Sequence, residues 1–199
     1  MADPAGDGDL TALDDEALAA LAAREGSDGV AFSALVERFR ERVWRVCWRL
    51  MGDEHDAQDA AQEVFVRLFF ERGAFAGKSR YATWLHGVAI RTCLTLRRSR
   101  SRRRRREAPE SAGADEAAPV RGQADPRASA ARAVDAAHDV ARLLDGLDEE
   151  DRALVLMKFA EGHDYDTLAE MFGATAGALR MRVSRIRERL AAKAGGGSA

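Results

Sequence analysis

The sequence predicts an all-α protein built as two small helical domains joined by a flexible linker. Three observations carry that prediction. Apolar residues recur at three- and four-residue spacing, and no stretch of the first half alternates in the two-residue period of a half-buried strand. Residues 107–128 lose almost all large apolar side chains and carry Pro109, Pro119 and Pro126, a composition that cannot bury enough surface to fold. A chain of 199 residues, 46% hydrophobic and 32% charged, suits one or two modest cores under a charge-rich surface.

Residues 1–29 form an N-terminal extension whose first nine residues, rich in Gly, Asp and Pro, are expected to be disordered. Residues 10–24 read as a short helix with Leu10, Leu13, Leu18 and Leu21 as its apolar positions, broken by Gly26 to Gly29. The first domain spans 30–106. It opens with a helix of about six turns, on which Phe32, Leu35, Val36, Phe39, Val43, Val46, Cys47 and Leu50 keep helical period. Gly52 closes that helix and Asp53 opens the next, so the two should form an antiparallel hairpin.

In GDEHDAQDAAQEVFVRLFF, Asp53 is a good N-cap, and Glu54 and Asp56 place acid where the helix dipole favours it. Ala57, Ala61, Val64, Phe65, Leu68 and Phe69 make one apolar stripe, while another face carries Asp56, Asp59, Gln62, Glu63 and Arg67. Gly73 and Gly77 then frame a loop with Phe75 and Lys78. A further helix runs from about residue 81 through Trp84, Leu85, Val88, Ala89, Cys93 and Leu96 into an arginine run.

After the 107–128 linker, the second domain spans 129–192. Its first helix turns Val134, Ala137, Val140, Leu143 and Leu144 inward. Asp148 caps LDEEDRALVLMKFAEG, with Asp151 at the third helical position in a carboxylate version of the capping box, and Gly162 ends that helix. Two helices follow, at about 165–172 and 176–192, joined through Gly173-Ala174-Thr175. Residues 193–199 are a disordered tail.

A net charge of −2 conceals strong segregation. Residues 97–106 hold eight arginines and no acid, whereas residues 107–120 hold four acids and no base. Whole-chain pI therefore says little about partners, because nucleic-acid binding needs only a local basic patch. Cys47 and Cys93 each stand alone on apolar stretches, and the four histidines are scattered. Buried free thiols, no metal and no cofactor are the expectation. The stretch MADPAGDGD has neither a basic n-region nor an apolar h-region, and no apolar run approaches spanning length. A cytoplasmic protein with no membrane partner is expected. No paired carboxylates in a pocket context, phosphate-cradling glycine loop or nucleophile with a base is found, so no catalytic residue is assigned and an enzyme is the weakest class.

The last pair of helices has the form of a helix-turn-helix: a short helix with Leu168, Ala169 and Phe172 inward, a glycine turn, and Thr175 capping a longer helix. On that helix Leu179, Val183, Ile186 and Leu190 form a buried stripe. Arg180, Met181, Ser184 and Arg185 share one outward face near its start, where a recognition helix meets base edges. Arg182, Arg187 and Arg189 are better placed for phosphates. A solvated basic helix would carry the same arginines, but the short capped helix, the turn and the arginine helix coincide here. The arginine run likewise reads either as a polyanion-binding tail or as the end of a packed helix, and its continuity with Trp84, Val88 and Cys93 makes part of it structured. Trp84 is assigned to the core, whereas Phe75 and Tyr81 suit either core packing or stacking on unpaired bases. Alone, the acidic face of residues 56–63 would be ordinary solvated surface. Beside so much basic charge it suggests a second, protein partner.

GDEHDAQDAAQEVFVRLF, then FAGKSRYATWLHGVA, a basic helix, a loose linker and LDEEDRALVLMKFAEGHDYDTLAEMFGATAGALRMRVSRIRERL, in that order, resemble a bacterial RNA polymerase sigma factor. The likeness is to the small extracytoplasmic-function class, which keeps only regions 2 and 4, and it covers residues 30–106 and 129–192. It implies a transcription initiation factor whose Asp56, Asp59, Gln62 and Glu63 dock on core polymerase. It further implies a −10 site of Phe75, Lys78, Ser79, Tyr81, Arg91, Arg97 and Arg98, and a −35 site of Thr175, Arg180, Met181, Arg182, Ser184, Arg185 and Arg187. The implied partners are the β′ clamp helices and β flap of the polymerase core, promoter DNA and an anti-sigma factor.

The chain departs from the family pattern at three places. Arg91 stands where Asn is usual, Thr95 where an acid is usual, and Gly177-Ala178-Leu179-Arg180-Met181-Arg182 replaces the common Gly-Thr-Val-Lys-Ser-Arg. A promoter sequence therefore does not transfer from relatives. Two other readings of the same residues are a stand-alone helix-turn-helix regulator and a sigma-like decoy that binds core without initiating.

Overall fold

The structure, a computed structural model, describes residues 10–25, 29–107 and 146–195. Residues 108–128 of the expected linker and the expected helix bearing Val134, Ala137, Val140, Leu143 and Leu144 lie outside the described residues. Within them every regular element is helical: α1 (Asp15–Arg24), α2 (Val30–Met51), α3 (Glu54–Phe70), α4 (Tyr81–Glu107), α5 (Glu149–Val155), α6 (Tyr165–Phe172) and α7 (Ala176–Gly195).

Local chemistry fixes most of the boundaries. Asp14, Asp53, Asp148 and Asp164 each accept a hydrogen bond from the backbone three residues on, at 2.7, 3.0, 2.7 and 2.7 Å. Each such cap is worth about 1 kcal/mol. Gly52 (φ 75°) and Gly173 (φ 65°) end α2 and α6 in the left-handed conformation that only glycine adopts without strain.

Helix α1 begins at Asp15 rather than near residue 10, because Asp14 supplies the cap. The preceding turn is held instead by Arg38, which donates to the carbonyls of Leu10 (3.0 Å) and Leu13 (2.7 Å) and pairs with Asp15 (3.2 Å). Two ends are capped at a distance: Glu25 accepts from Ala31 N at 2.8 Å, and Glu16 of α1 accepts from Tyr81 N at 3.0 Å to start α4.

The first half is a bundle of α1–α4 around Leu18, Leu35, Phe39, Val43, Val46, Val64, Leu68, Leu85 and Ile90, all buried. Cys47 and Cys93 are free, buried and adjacent. The hydrogen bond from Cys93, with burial, drives the Cys47 thiol far above its ordinary range, so it stays protonated. The second half packs α5, α6 and α7 around Leu154, Met157, Leu168, Met171, Leu179, Val183 and Ile186. Met171 fills the place expected of Ala169 and Phe172, which are only half-buried.

The helix expected through to Gly162 stops at Val155 and continues as one π turn, Leu156–Ala160, latched by Lys158 Nζ donating to His163 O at 2.8 Å. Asp151 does not complete a capping box, because both of its carboxylate oxygens go to arginines of α7. Residues 193–195 of the expected disordered tail belong to α7, which extends to Gly195, and residues 196–199 lie outside the described residues.

The halves meet where α4 runs along α6 and against α5. At Gly87 the backbones come so close that a Cβ would lie 3.1 Å from Met171 O and 3.4 Å from its Cα.

Candidate nucleic-acid interface

Helix α3 buries Ala57, Ala60, Ala61, Val64 and Leu68, which turns Asp59 and Gln62 fully outward and leaves Asp56 and Glu63 half-exposed. Phe65 and Phe69 of the expected stripe are half-buried. The outward strip continues with two exposed apolar side chains, Val66 and Phe70, the latter 79% exposed. At one and then two further turns along the helix, both fall on the face of Asp59 and Gln62. The strip is thus acidic at its start and apolar at its end. Arg100 of α4 pairs with Asp56 and reaches Asp59 at 3.7 Å, and Arg67 pairs with Glu63 at 3.0 Å. Gln62, Val66 and Phe70 remain open.

The 71–80 loop turns through Arg72–Ala74 and Gly77 (φ 67°) into α4. Lys78 is exposed, and Ser79 is half-buried with its hydroxyl donating to Arg80 O at 3.4 Å. Phe75, Tyr81 and Trp84 form one aromatic cluster with ring centroids 5.2–5.6 Å apart. Within it Tyr81 takes the core-packing one of its two readings, and Trp84, with Phe75, packs partly buried against the core. Tyr81 is the buried member, 2% exposed against Phe39, while Trp84 and Phe75 are half-buried. Tyr81 is therefore a core residue that holds the cluster and offers no free ring face. Its position as the first residue of α4, capped from α1, drives it inward.

Along α4, Arg91, Arg97, Arg98 and Arg100 are engaged. Arg97 pairs with Glu149 and donates to Leu50 O at 2.8 Å, which leaves its side chain 17% exposed. Arg98 pairs with Glu150 at 2.5 Å and stays half-exposed, and exposed Arg91 leans on Met171 O at 3.4 Å. Thr95 returns its hydroxyl to Arg91 O at 2.8 Å.

On α7, Thr175 caps the helix, accepting from Ala178 N at 3.2 Å. Arg180, Met181, Ser184, Arg185 and Arg187 are exposed, and Met181 is 60% exposed. Arg185 and Arg187 have no ion-pair partner among the described residues; Arg180 lies over the Tyr165 ring at 5.1 Å. Ser184 donates to Glu188 at 3.2 Å. Arg182 departs from its expected role. It reaches Asp151 (2.5 Å), Glu150 (3.2 Å) and Asp148 (3.4 Å), and so clamps α7 onto α5.

Sequence reasoning missed the acidic turn 148–151 as a hub. Glu149 and Glu150 take arginines of α4, Glu150 and Asp151 take Arg182, and Asp151 also takes Arg189. Hydrogen bonds from Arg98, against burial, with Arg182 adding, hold the Glu150 carboxyl below the ordinary carboxylate range. The signal was present in the run of four carboxylates, but its partners lie in other helices.

The order of these parts matches two known units. Residues 35–103 match the family model of Sigma-70 region 2, and residues 137–190 that of Sigma-70, region 4. The chain belongs to the extracytoplasmic-function class of sigma-70 factors. It is 32% identical over 168 residues to the ECF RNA polymerase sigma factor SigE of Mycolicibacterium smegmatis, a match covering 80% of this chain and 60% of that protein. It is 29% identical over 169 residues to the RNA polymerase sigma-H factor of Pseudomonas aeruginosa, covering 81% and 84%.

Among solved structures, CnrH in complex with the cytosolic domain of CnrY superposes with a TM-score of 0.58 at 21% identity. That match covers 92% of this chain and 99% of that chain, and it shows the shared fold. Neither the stand-alone regulator nor the decoy is favoured by these matches. No described helix is long and apolar enough to cross a membrane.

Proposed function

We propose that this sigma factor is a transcription initiation factor without catalytic chemistry of its own, acting in the cytoplasm. In this reading it binds core RNA polymerase through α3, reads the −35 duplex with α7 and helps open the −10 element with the 75–98 segment. The region 2 unit is then 30–106 and the region 4 unit 129–192. The observation that carries the reading is the outward strip of α3, on which Asp59, Gln62, Val66 and Phe70 share one face. An acidic and apolar strip suits a protein partner and repels DNA, whereas the arginine face of α7 attracts it. The β′ clamp helices are the proposed partner of the strip, and the β flap that of the second unit. An anti-sigma factor would compete for the same strip.

For the −35 duplex the reading uses Arg180, Met181, Ser184, Arg185 and Arg187, with Thr175 fixing the start of the helix. For the −10 strand it uses Phe75, Lys78, Ser79, Arg91, Arg97 and Arg98, and gives Tyr81 a supporting place beneath them.

The double substitution Asp59→Ala with Gln62→Ala tests it. Binding to purified core should weaken by about a hundredfold, in line with loss of two contacts at a protein interface, while the helical circular dichroism is unchanged. Equal core affinity for the variant and the wild type would sink the reading, as would inactivity of the wild-type holoenzyme in run-off transcription on a site it selects.

A further inference from the structure

Helix α2 presents Arg42, Arg45 and Arg49 on one face, because they follow each other at three- and four-residue spacing. Arg49 is spent on Glu161 of the second half, at 2.6 Å. Arg42 and Arg45 are exposed and have no ion-pair partner among the described residues, and the same holds for Arg80, the residue before α4. Arg42 lies over the Phe39 ring at 5.8 Å, a contact that leaves its N–H donors unspent. The three arginines line one open cleft of about 630 Å³ together with His86 of α4 and with Glu161, His163 and Asp164 of the second half.

The acids around these cations are already committed. Glu161 holds Arg49, and Asp164 accepts from Thr167 N at 2.7 Å to cap α6. On the other side of Arg42 and Arg80, Asp14 caps α1, Asp15 pairs with Arg38 at 3.2 Å and Glu16 accepts from Tyr81 N at 3.0 Å. Each acid has a partner, whereas the three guanidiniums keep their donors.

Two histidines supply an independent observation. His86 is 7% exposed, yet its Nε2 meets no hydrogen-bond partner among the described residues, and neither does His163 Nε2. The two rings meet edge to face with centroids 5.6 Å apart. Native structures ordinarily satisfy buried polar atoms, so this pair calls for a ligand or a water. Burial, with the fields of His163, Arg42 and Arg45, lowers the His86 pKa to about 4, and burial also lowers that of His163. Both rings are therefore neutral near neutrality. A neutral imidazole protonated on Nε2 donates one hydrogen bond to an anionic oxygen.

We propose that this cleft binds a small phosphorylated anion of the diphosphate class, held by Arg42, Arg45 and Arg80 and accepting hydrogen bonds from His86 and His163. The planar guanidinium fork matches phosphate oxygens, and three forks from two segments of chain suit two linked phosphates better than one. The cleft volume falls within the range of about 300–1,000 Å³ for small-ligand sites. Walls from α2, α4 and the second half suit a compact anion more than a continuous strand. The proposal does not depend on the initiation-factor reading.

Isothermal titration calorimetry of the full-length protein with inorganic pyrophosphate, at fixed ionic strength, tests it. The wild type should bind one pyrophosphate. Arg45→Gln and Arg80→Gln should each weaken binding about tenfold, as expected for loss of a hydrogen bond to a charged group. Arg40→Gln, equally exposed on α2 but paired with Glu37, should not. All three changes lie on exposed side chains, and circular dichroism checks that each variant folds. Saturating pyrophosphate should also raise the pKa of His86 and His163, read by NMR titration, because a nearby anion favours the imidazolium.

Absence of binding would overturn the proposal. So would binding that Arg45→Gln and Arg80→Gln leave unchanged, which would place the anion on other arginines. A labelled single-stranded oligodeoxynucleotide separates the remaining source of phosphate. If Arg45→Gln weakens the oligonucleotide and pyrophosphate does not compete with it in the wild type, the cleft belongs to nucleic acid and the small-anion site is refuted.

Discussion

Helices α4 and α7 are both arginine-rich, yet they treat their charge differently. On α4, each of Arg91, Arg97, Arg98 and Arg100 meets an oxygen from another element. On α7, Arg182 and Arg189 are tied to Asp151, while Arg185 and Arg187 face solvent with no ion-pair partner among the described residues. The difference lies in the partners. An arginine that faces the carboxylates at the start of α5 is recruited to packing. One on the far side is left for a ligand. Arginine content alone does not identify a nucleic-acid contact, since Arg91, Arg97, Arg98, Arg100, Arg182 and Arg189 all bind other parts of the protein.

Removing the shared acid is the strongest way to break that division on α7. Asp151 is 4% exposed and serves two guanidiniums, so Asp151→Ala leaves both without their buried partner. We expect a loss of roughly 3 kcal/mol from the stability of the second half, the lower end for breaking a buried ion pair because both arginines keep contact with water. Urea denaturation followed by circular dichroism measures it. Arg185→Ala, on the open face, should leave the same transition in place, and a comparable drop for both substitutions would erase the division.

Acid breaks the α4 side. His86 lies buried on α4, with Arg42 and Arg45 of α2 and His163, Glu161 and Asp164 of the second half around the same cleft. Burial first, then the fields of His163, Arg42 and Arg45, depress its pKa from 6.5 to about 4. A histidine with a depressed folded pKa binds fewer protons folded than unfolded. Its contribution is therefore complete above pH 6.5 and is lost progressively as pH falls toward 4. At pH 5.5 the cost is about 1.4 kcal/mol, one unit below the unfolded value. His86→Gln should flatten the stability profile between those pH values while matching the wild type near neutrality. A profile in which both forms fall in parallel would assign the acid sensitivity elsewhere.

Much of this architecture could be read from the sequence, because the signals were local. The caps at Asp53, Asp148 and Thr175, the glycine stops at 52 and 173, and the stripe Leu179, Val183 and Ile186 each depend on neighbours within one or two turns. What escaped depends on distant partners. Nothing near Tyr81 says that Glu16 will cap its helix and turn its ring into the core, 65 residues away in the chain. Nothing near Arg182 distinguishes it from Arg185 except that one faces α5. The acidic face of α3 was legible as a face, but its apolar continuation through Val66 and Phe70 was not, because bulky apolar residues are ordinarily assigned to a core.

The finest version of the comparison lies within the open face of α7. Arg180 has a partner, the ring of Tyr165, which also receives Lys158 at 4.6 Å. A ring face holds the guanidinium by its charge and leaves its in-plane N–H donors unspent, so Arg180 is oriented without being consumed. This is the opposite of Arg182, whose donors are taken by three carboxylates. Tyr165→Leu keeps the apolar bulk and removes the ring. It should cost about 0.5–1 kcal/mol in duplex affinity of the holoenzyme, the range for an exposed cation–π contact. The loss should be absent in an Arg180→Ala background, where there is no guanidinium left to orient. Competition binding with a selected −35 duplex measures both. An equal loss in the two backgrounds would mean that Tyr165 acts through packing, and that Arg180 needs no positioning.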